Sequence, residues 1–183
     1  MITPDALDGN FRTFFDAWAS FRSPGETLPR WSDFRPAPFG SLLAEISLVQ
    51  RHERGKYIYC LLGSDLDDRL GFDSTGLNQL DLLAPRVRDF VTDWFEAIMQ
   101  VPCGAYSDFS IELRNSQDMS IKSLSLPLLD EGGVANWFLY FHDAGQAYAG
   151  LPFGELISFG DGYVKMRPVD LGAGVETDLA QEF

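Results

Sequence analysis

The chain has 183 residues, 45% hydrophobic and 22% charged, enough apolar material for one domain with a real core plus extensions. Its formal net charge of -13 argues against nucleic acid, whose phosphates demand clustered Lys and Arg, and against anionic membrane surfaces. The opening Met1-Ile2-Thr3-Pro4-Asp5 lacks a basic leader region, and no apolar run approaches the roughly 20 residues of a membrane span. Cys60 and Cys103 do not make a disulfide framework. Both have apolar neighbours, so both are expected to be reduced and buried, in a cytoplasmic protein.

In chain order, Thr3 and Pro4 predict a helix start, with Gly9 weakening its first turns. Leu7, Phe11, Phe14, Trp18 and Phe21 then recur at alternating spacings of four and three, an a/d seam. We expect Phe11, Phe14, Trp18 and Phe21 to form a homodimer interface, the alternative being that the helix docks on its own domain. Prolines at 24, 29, 36 and 38 make an extended connector, pinned by Trp31, Phe34 and Phe39. Strands at 46–51 and 56–62 form a hairpin around Glu53-Arg54-Gly55-Lys56, the second strand apolar on both faces.

Short helices follow over 65–84, then a long amphipathic helix over 85–100. Strands come next at 106–114, 119–129 and 136–142. In the middle one the apolar parity changes, from Met119 and Ile121 to Leu124, Leu126 and Leu128, predicting a bulge near Lys122-Ser123. Beyond Asp143, glycines punctuate a segment in which 157–159 and 163–166 read as a terminal hairpin, and 175–183 reads as a disordered acidic tail. The fold class is α/β of the α+β kind: a five-stranded antiparallel sheet with a helical crossover, curling over helices on one face. Residues 1–40 are the N-terminal helix and connector, 41–143 the core, and 144–183 the Gly-rich extension.

Several short motifs sit at the joints of this plan. Leu28-Pro29-Arg30-Trp31-Ser32-Asp33-Phe34-Arg35-Pro36 follows a tryptophan-containing helix. Leu62-Gly63-Ser64 ends the hairpin, and Gly71-Phe72-Asp73-Ser74-Thr75-Gly76 and Asp81-Leu82 follow it. In order and spacing, over about residues 14–143, these resemble a bacterial PAS-domain family common in alphaproteobacteria, often found as short stand-alone proteins. The resemblance implies a PAS-like core and a sensor or protein-interaction role, with output through a dimer or a separate signalling protein. Two positions depart from the family pattern, Cys60 for a basic residue and Ser64 for threonine, implying a smaller, more apolar lining if the first faces a pocket. On plain physical grounds Gly63, Gly71 and Gly76 suit turns of positive φ, Asp65 a helix cap and Asp73 a turn brace.

Closing the long helix over the concave sheet is expected to bring Phe90 and Trp94 against Cys60, Leu61, Ile111, Leu124, Trp137 and Phe141. That lining suits an apolar or aromatic ligand; the alternative is a filled core in which the same rings pack on one another. No metal site is expected from His52, His142, Cys60 and Cys103, and His142 beside Asp143 reads as a surface pair. The cofactor is unknown. Haem and covalently attached flavin are both argued against, because nothing near His142 suggests a haem pocket and Leu77-Asn78-Gln79-Leu80 carries no cysteine. Asp65-Leu66-Asp67-Asp68 fails as a calcium loop at Arg69 and Leu70. No nucleophile elbow, phosphate loop or acid–base pair is visible, so no enzyme is expected. A ligand-free dimerisation or scaffold module, and an enzyme on a cone-shaped α+β fold, remain the alternatives.

Overall fold

The computed structural model describes residues 1–70, 73–113, 119–143, 156–172, 175 and 181–182. After a helical turn at Pro4–Ala6, the first helix, α1, spans Gly9–Ala19. It starts late, at a Gly9 held at φ 50°. The strands are β1 (Ile46–Glu53), β2 (Lys56–Leu62), β3 (Gly104–Leu113), β4 (Met119–Leu129), β5 (Ala135–Asp143), β6 (Leu156–Val169) and β7 (Gln181–Glu182). Between β2 and β3 lie α2 (Ser64–Leu70), a turn of helix at Gln79–Leu82, and α3 (Arg88–Gln100), preceded by a turn at Pro85–Val87.

One sheet runs β2-β1-β5-β4-β3-β6-β7, every pair antiparallel. The β1–β2 hairpin occupies one edge, the α2–α3 crossover spans the sheet, and β3, β4 and β5 return to β1. This is the expected α+β plan with strands added beyond β3. No helix among the described residues is long and apolar enough to cross a membrane.

The sheet is covered on both faces, not on one as expected. Ile46, Leu48, Leu124, Leu126, Leu128, Leu139 and Phe141 point to an outer core with Phe11, Phe14, Phe15, Trp18 and Phe39. Val49, Tyr57, Tyr59, Phe138 and Tyr140 point the other way, to an inner core with Val87, Val91, Trp94, Phe95 and Ile98. This two-sided burial explains the parity change in β4 without a bulge. β3 and β4 pair in unbroken register from Ile111↔Met119 to Ala105↔Ser125, so Ile121 faces inward while Leu124, Leu126 and Leu128 face outward. The irregularity in β4 falls instead at Leu128/Leu129.

The α1 seam is satisfied within the chain. Phe14 and Trp18 are 0% exposed and Phe11 7%. Phe11 meets Tyr106 and Phe141 edge-on, and Trp18 Nε1 donates to Pro127 O at 3.1 Å. Phe21 packs at the border of the same core against Phe34 and Phe39. The assignment of Phe11, Phe14 and Trp18 to a dimer interface is therefore corrected, because these rings are already buried within the chain, while Phe21 is partly buried against Phe34 and Phe39.

β6 is one strand beside β3, not the expected hairpin. Gly160, at φ 81°, sits in a bulge between the pairs Phe109↔Val164 and Ile111↔Phe159, so the chain kinks and continues. Residues 181–182 of the supposed disordered tail pair with Lys165 and Met166, and Val175 packs on the inner core. The rest of that tail, apart from Val175, and Gly71 lie outside the described residues. The joint glycines divide their work: Gly76 has the expected positive φ, but Gly63 does not. A Cβ on Gly63 would lie 2.3 Å from Ala44 O, so close backbone approach explains it. Asp73 braces its turn, its Oδ1 accepting from Thr75 N at 2.8 Å.

Candidate ligand chamber

The inner face of β4 and β5 reads differently from the outer face of the same strands. Outward lie Leu124, Leu126, Leu139 and Phe141; inward lie Ser123, Ser125, Tyr140 and His142. Ser107 of β3 is paired with Ser123, and Ser47 of β1 with Tyr140, so both join the inward set. Around these groups is a chamber of about 60 Å³. Tyr59, Gln79, Ser107, Ser123, Ser125, Tyr140 and His142 form its polar wall. Leu82, Leu83, Phe95, Phe109, Ile121, Phe159 and Met166 form the apolar one.

His142 is central to the polar wall. Its Nε2 lies 2.8 Å from Ser47 Oγ and its Nδ1 2.8 Å from Ser123 Oγ. A neutral imidazole has one donor and one acceptor nitrogen, so one serine donates to the ring and the other accepts from it. The Tyr140 ring stacks on it at 5.5 Å and 3°. Tyr140 OH donates to Gln79 Oε1 at 3.2 Å, and Gln79 also hydrogen-bonds Tyr59. Burial pushes both phenols well above their ordinary pKa, so both stay neutral donors. Two serine bonds are long: Ser107 Oγ to Ser123 O is 3.5 Å and Ser125 Oγ to Ala105 O is 3.4 Å. Hydroxyls bond well at about 2.5–3.0 Å, so these two retain hydrogen-bonding capacity toward the chamber.

The helical lid is fixed by charge. Arg51 Nε and Nη2 each lie 2.9 Å from a Glu96 oxygen, and Tyr57 OH donates to Oε1 at 2.5 Å. Arg54 pairs with Asp93 one turn earlier. Partial burial pushes the Glu96 carboxyl up, but the Arg51 and Tyr57 bonds outweigh it and hold it below its usual range. On the sheet edge Asn78 mimics a strand, accepting from Tyr57 N and donating to Gly55 O at 2.9 Å each. That pairing sets Gln79 over the chamber.

The expected lining residues do not come together. Phe90 and Trp94 pack in the inner core without reaching the chamber; Phe95 is the α3 residue that does. Leu124, Trp137 and Phe141 face the outer core, on the other side of the sheet. Ile111 is buried, with the parity of Phe109, but lies outside the chamber wall. Cys60 and Leu61 are exposed, because β2 is an edge strand and a bulge at Leu48/Val49 breaks the alternation there. Cys60 was expected to be buried; only its raised pKa, from partial burial, agrees. Nor is the departure at Cys60 a pocket feature. Cys103 is buried, its thiol pushed up to about 12 by burial.

His142 was expected to be a surface pair and is instead part of the wall. The missed signal was Ser123-x-Ser125 alternating with leucines in a strand buried on both sides. Among the described residues no group of three or more His, Cys, Asp or Glu is placed to hold a metal ion.

A solved PAS domain of a protein from Colwellia psychrerythraea is similar at 12% identity and a TM-score of 0.44, over 58% of this chain and 93% of that chain. No curated protein matches. A family model for the PAS domain matches residues 9–139, from the start of α1 into β5, and the chain belongs to that family.

Proposed function

We propose that this PAS domain is a cytoplasmic sensory module whose inner chamber takes a small polar, uncharged molecule, and which signals through a partner or a dimer. The observation that carries this reading is the buried cluster of hydroxyls and imidazole around a void, on strands that carry Leu124, Leu126, Leu139 and Phe141 on their other face. His142 is satisfied by Ser47 and Ser123, but Ser107 and Ser125 make only long bonds, and burying a hydroxyl without a good hydrogen bond is unfavourable by about 1–3 kcal/mol, which supports a ligand that completes them. Among the described residues no Asp, Glu, Lys or Arg contributes to the wall, which disfavours an ionic ligand. The apolar or aromatic ligand expected from sequence would suit the apolar half of the wall but would leave the hydroxyls of Ser107 and Ser125 unused.

A ligand-free module is the second reading, and size favours it. About 60 Å³ holds only a few waters, whereas drug-sized ligands occupy ~300 Å³ or more. On the sensory reading the ligand is therefore very small, or the Gln79–Leu82 turn moves aside. A thermal-shift series of small alcohols, amides and hydroxy-carbonyl compounds tests this. At saturating concentration a genuine ligand is expected to stabilise the wild type by about 2–3 kcal/mol and the Ser123→Val variant far less. Equal shifts in both proteins, or none in either, would favour the ligand-free reading.

A further inference from the structure

The connector motif around Trp31 takes no part in the chamber, yet it builds a second concavity on the opposite side of the sheet. Trp31 and Ser32, in the helical turn Trp31–Asp33, face Asp130, Glu131 and Gly132 of the β4–β5 turn, with Trp137 of β5 between them. The groove measures about 440 Å³. Its aromatic side is a continuous stack: Trp31 lies on Trp137 at 5.0 Å and 18°, and on Phe34 at 5.2 Å and 25°.

The geometry is held from several directions. Leu129 N donates to Pro29 O at 2.9 Å, and Arg30 Nη1 donates to Asp130 O at 3.3 Å. Both Asp130 carboxylate oxygens are used within the turn, accepting from Val134 N and Asn136 Nδ2. Glu131, exposed at the turn's tip, lines the groove. Nearby, Glu26, Asp33, Asp130 and Glu131 outnumber Arg30 and Arg35. Arg30 is paired with Glu26, and Arg35 donates to Ser32 O and Phe34 O.

We propose that this groove docks an arginine-bearing segment of a separate protein, one guanidinium packing against the exposed part of the Trp31–Trp137 pair and pairing with Glu131. A planar, weakly hydrated guanidinium satisfies both demands at once, which an ammonium does less well. The outer layer already uses this contact: Arg22 lies over Trp18 at 5.3 Å and Arg167 over Tyr106 at 5.2 Å. An open groove with an aromatic anchor can take a linear segment, and the chain's net charge of -13 draws a basic one toward it. Docking here does not depend on what the chamber binds.

Fluorescence anisotropy with labelled Gly/Arg, Gly/Lys and Gly/Glu nonapeptides tests the proposal on the full chain. The Gly/Arg peptide is expected to bind saturably and more tightly than the Gly/Lys one, with no binding of Gly/Glu. Trp31→Ala and Glu131→Lys should each weaken it by about tenfold. Glu131→Lys, at an exposed position, keeps the test valid if Trp31→Ala perturbs folding. Asp89→Lys, the same charge change on exposed α3 across the sheet, should weaken it less than about twofold. Equal losses for Asp89→Lys and Glu131→Lys would mean bulk charge attraction and overturn the proposal. So would non-saturable binding, or a wild-type dimer that Glu131→Lys disperses, which would make a second copy the occupant.

Discussion

Gly63 sits where even a methyl group would meet backbone oxygens: its Cβ would lie 2.3 Å from Ala44 O and 2.4 Å from Leu43 O. Its N–H donates to Ile46 O at 2.7 Å, so the chain cannot back away without breaking the join between β1 and the end of β2. Gly63→Ala is expected to destabilise the fold by about 3 kcal/mol or more, read as a drop in urea midpoint, whereas Ala at open, positive-φ Gly55 should lose ~1 kcal/mol. The cysteines provide a second residue-scale test. A maleimide should label Cys60 in the native protein, slowly at pH 7 and faster as pH rises, because partial burial lifts its thiol pKa. Cys103 should label only after denaturation; equal native rates would contradict the assigned burial.

At the scale of elements, α1 belongs to the core. Phe14→Ala or Trp18→Ala should cost about 3–5 kcal/mol in equilibrium unfolding, with no selective effect on assembly. A homodimer, which remains a proposal, would have to use another face. Loss of dimer at unchanged stability in Phe14→Ala would restore the interface role. The clamp of α3 on the hairpin is pH-dependent. Glu96 has a depressed pKa when folded, so its contribution is present above the unfolded carboxylate range and is lost as pH falls through the folded pKa. Glu96→Gln should therefore be about 1–2 kcal/mol less stable than wild type at pH 7, the gap closing below about pH 4. A gap constant from pH 7 to pH 3 would show that Arg51 and Tyr57 do not stabilise the charged form.

For the whole molecule, the PAS plan was legible because its signals are local and repeated. Val87, Val91, Trp94 and Ile98 mark α3 by helical spacing, and the first hairpin follows from turn chemistry around Gly55. What strand periodicity does not carry is which side of the sheet a stripe faces when both sides are buried. Leu124 and Phe141 were accordingly placed with Trp94, although a sheet separates them, and Ser123, Tyr140 and His142 went unnoticed on the inward parity. Cys60 failed for a related reason, since apolar neighbours in sequence do not cover an edge strand. The central claim is that the inward polar wall exists to hold a small molecule. Native mass spectrometry of the protein isolated from its own cells tests it most directly. The wild type should carry a discrete small-molecule mass that Ser123→Val and Ser125→Val both lose while remaining folded. A bare wild-type mass, or an increment unchanged by both substitutions, would contradict it.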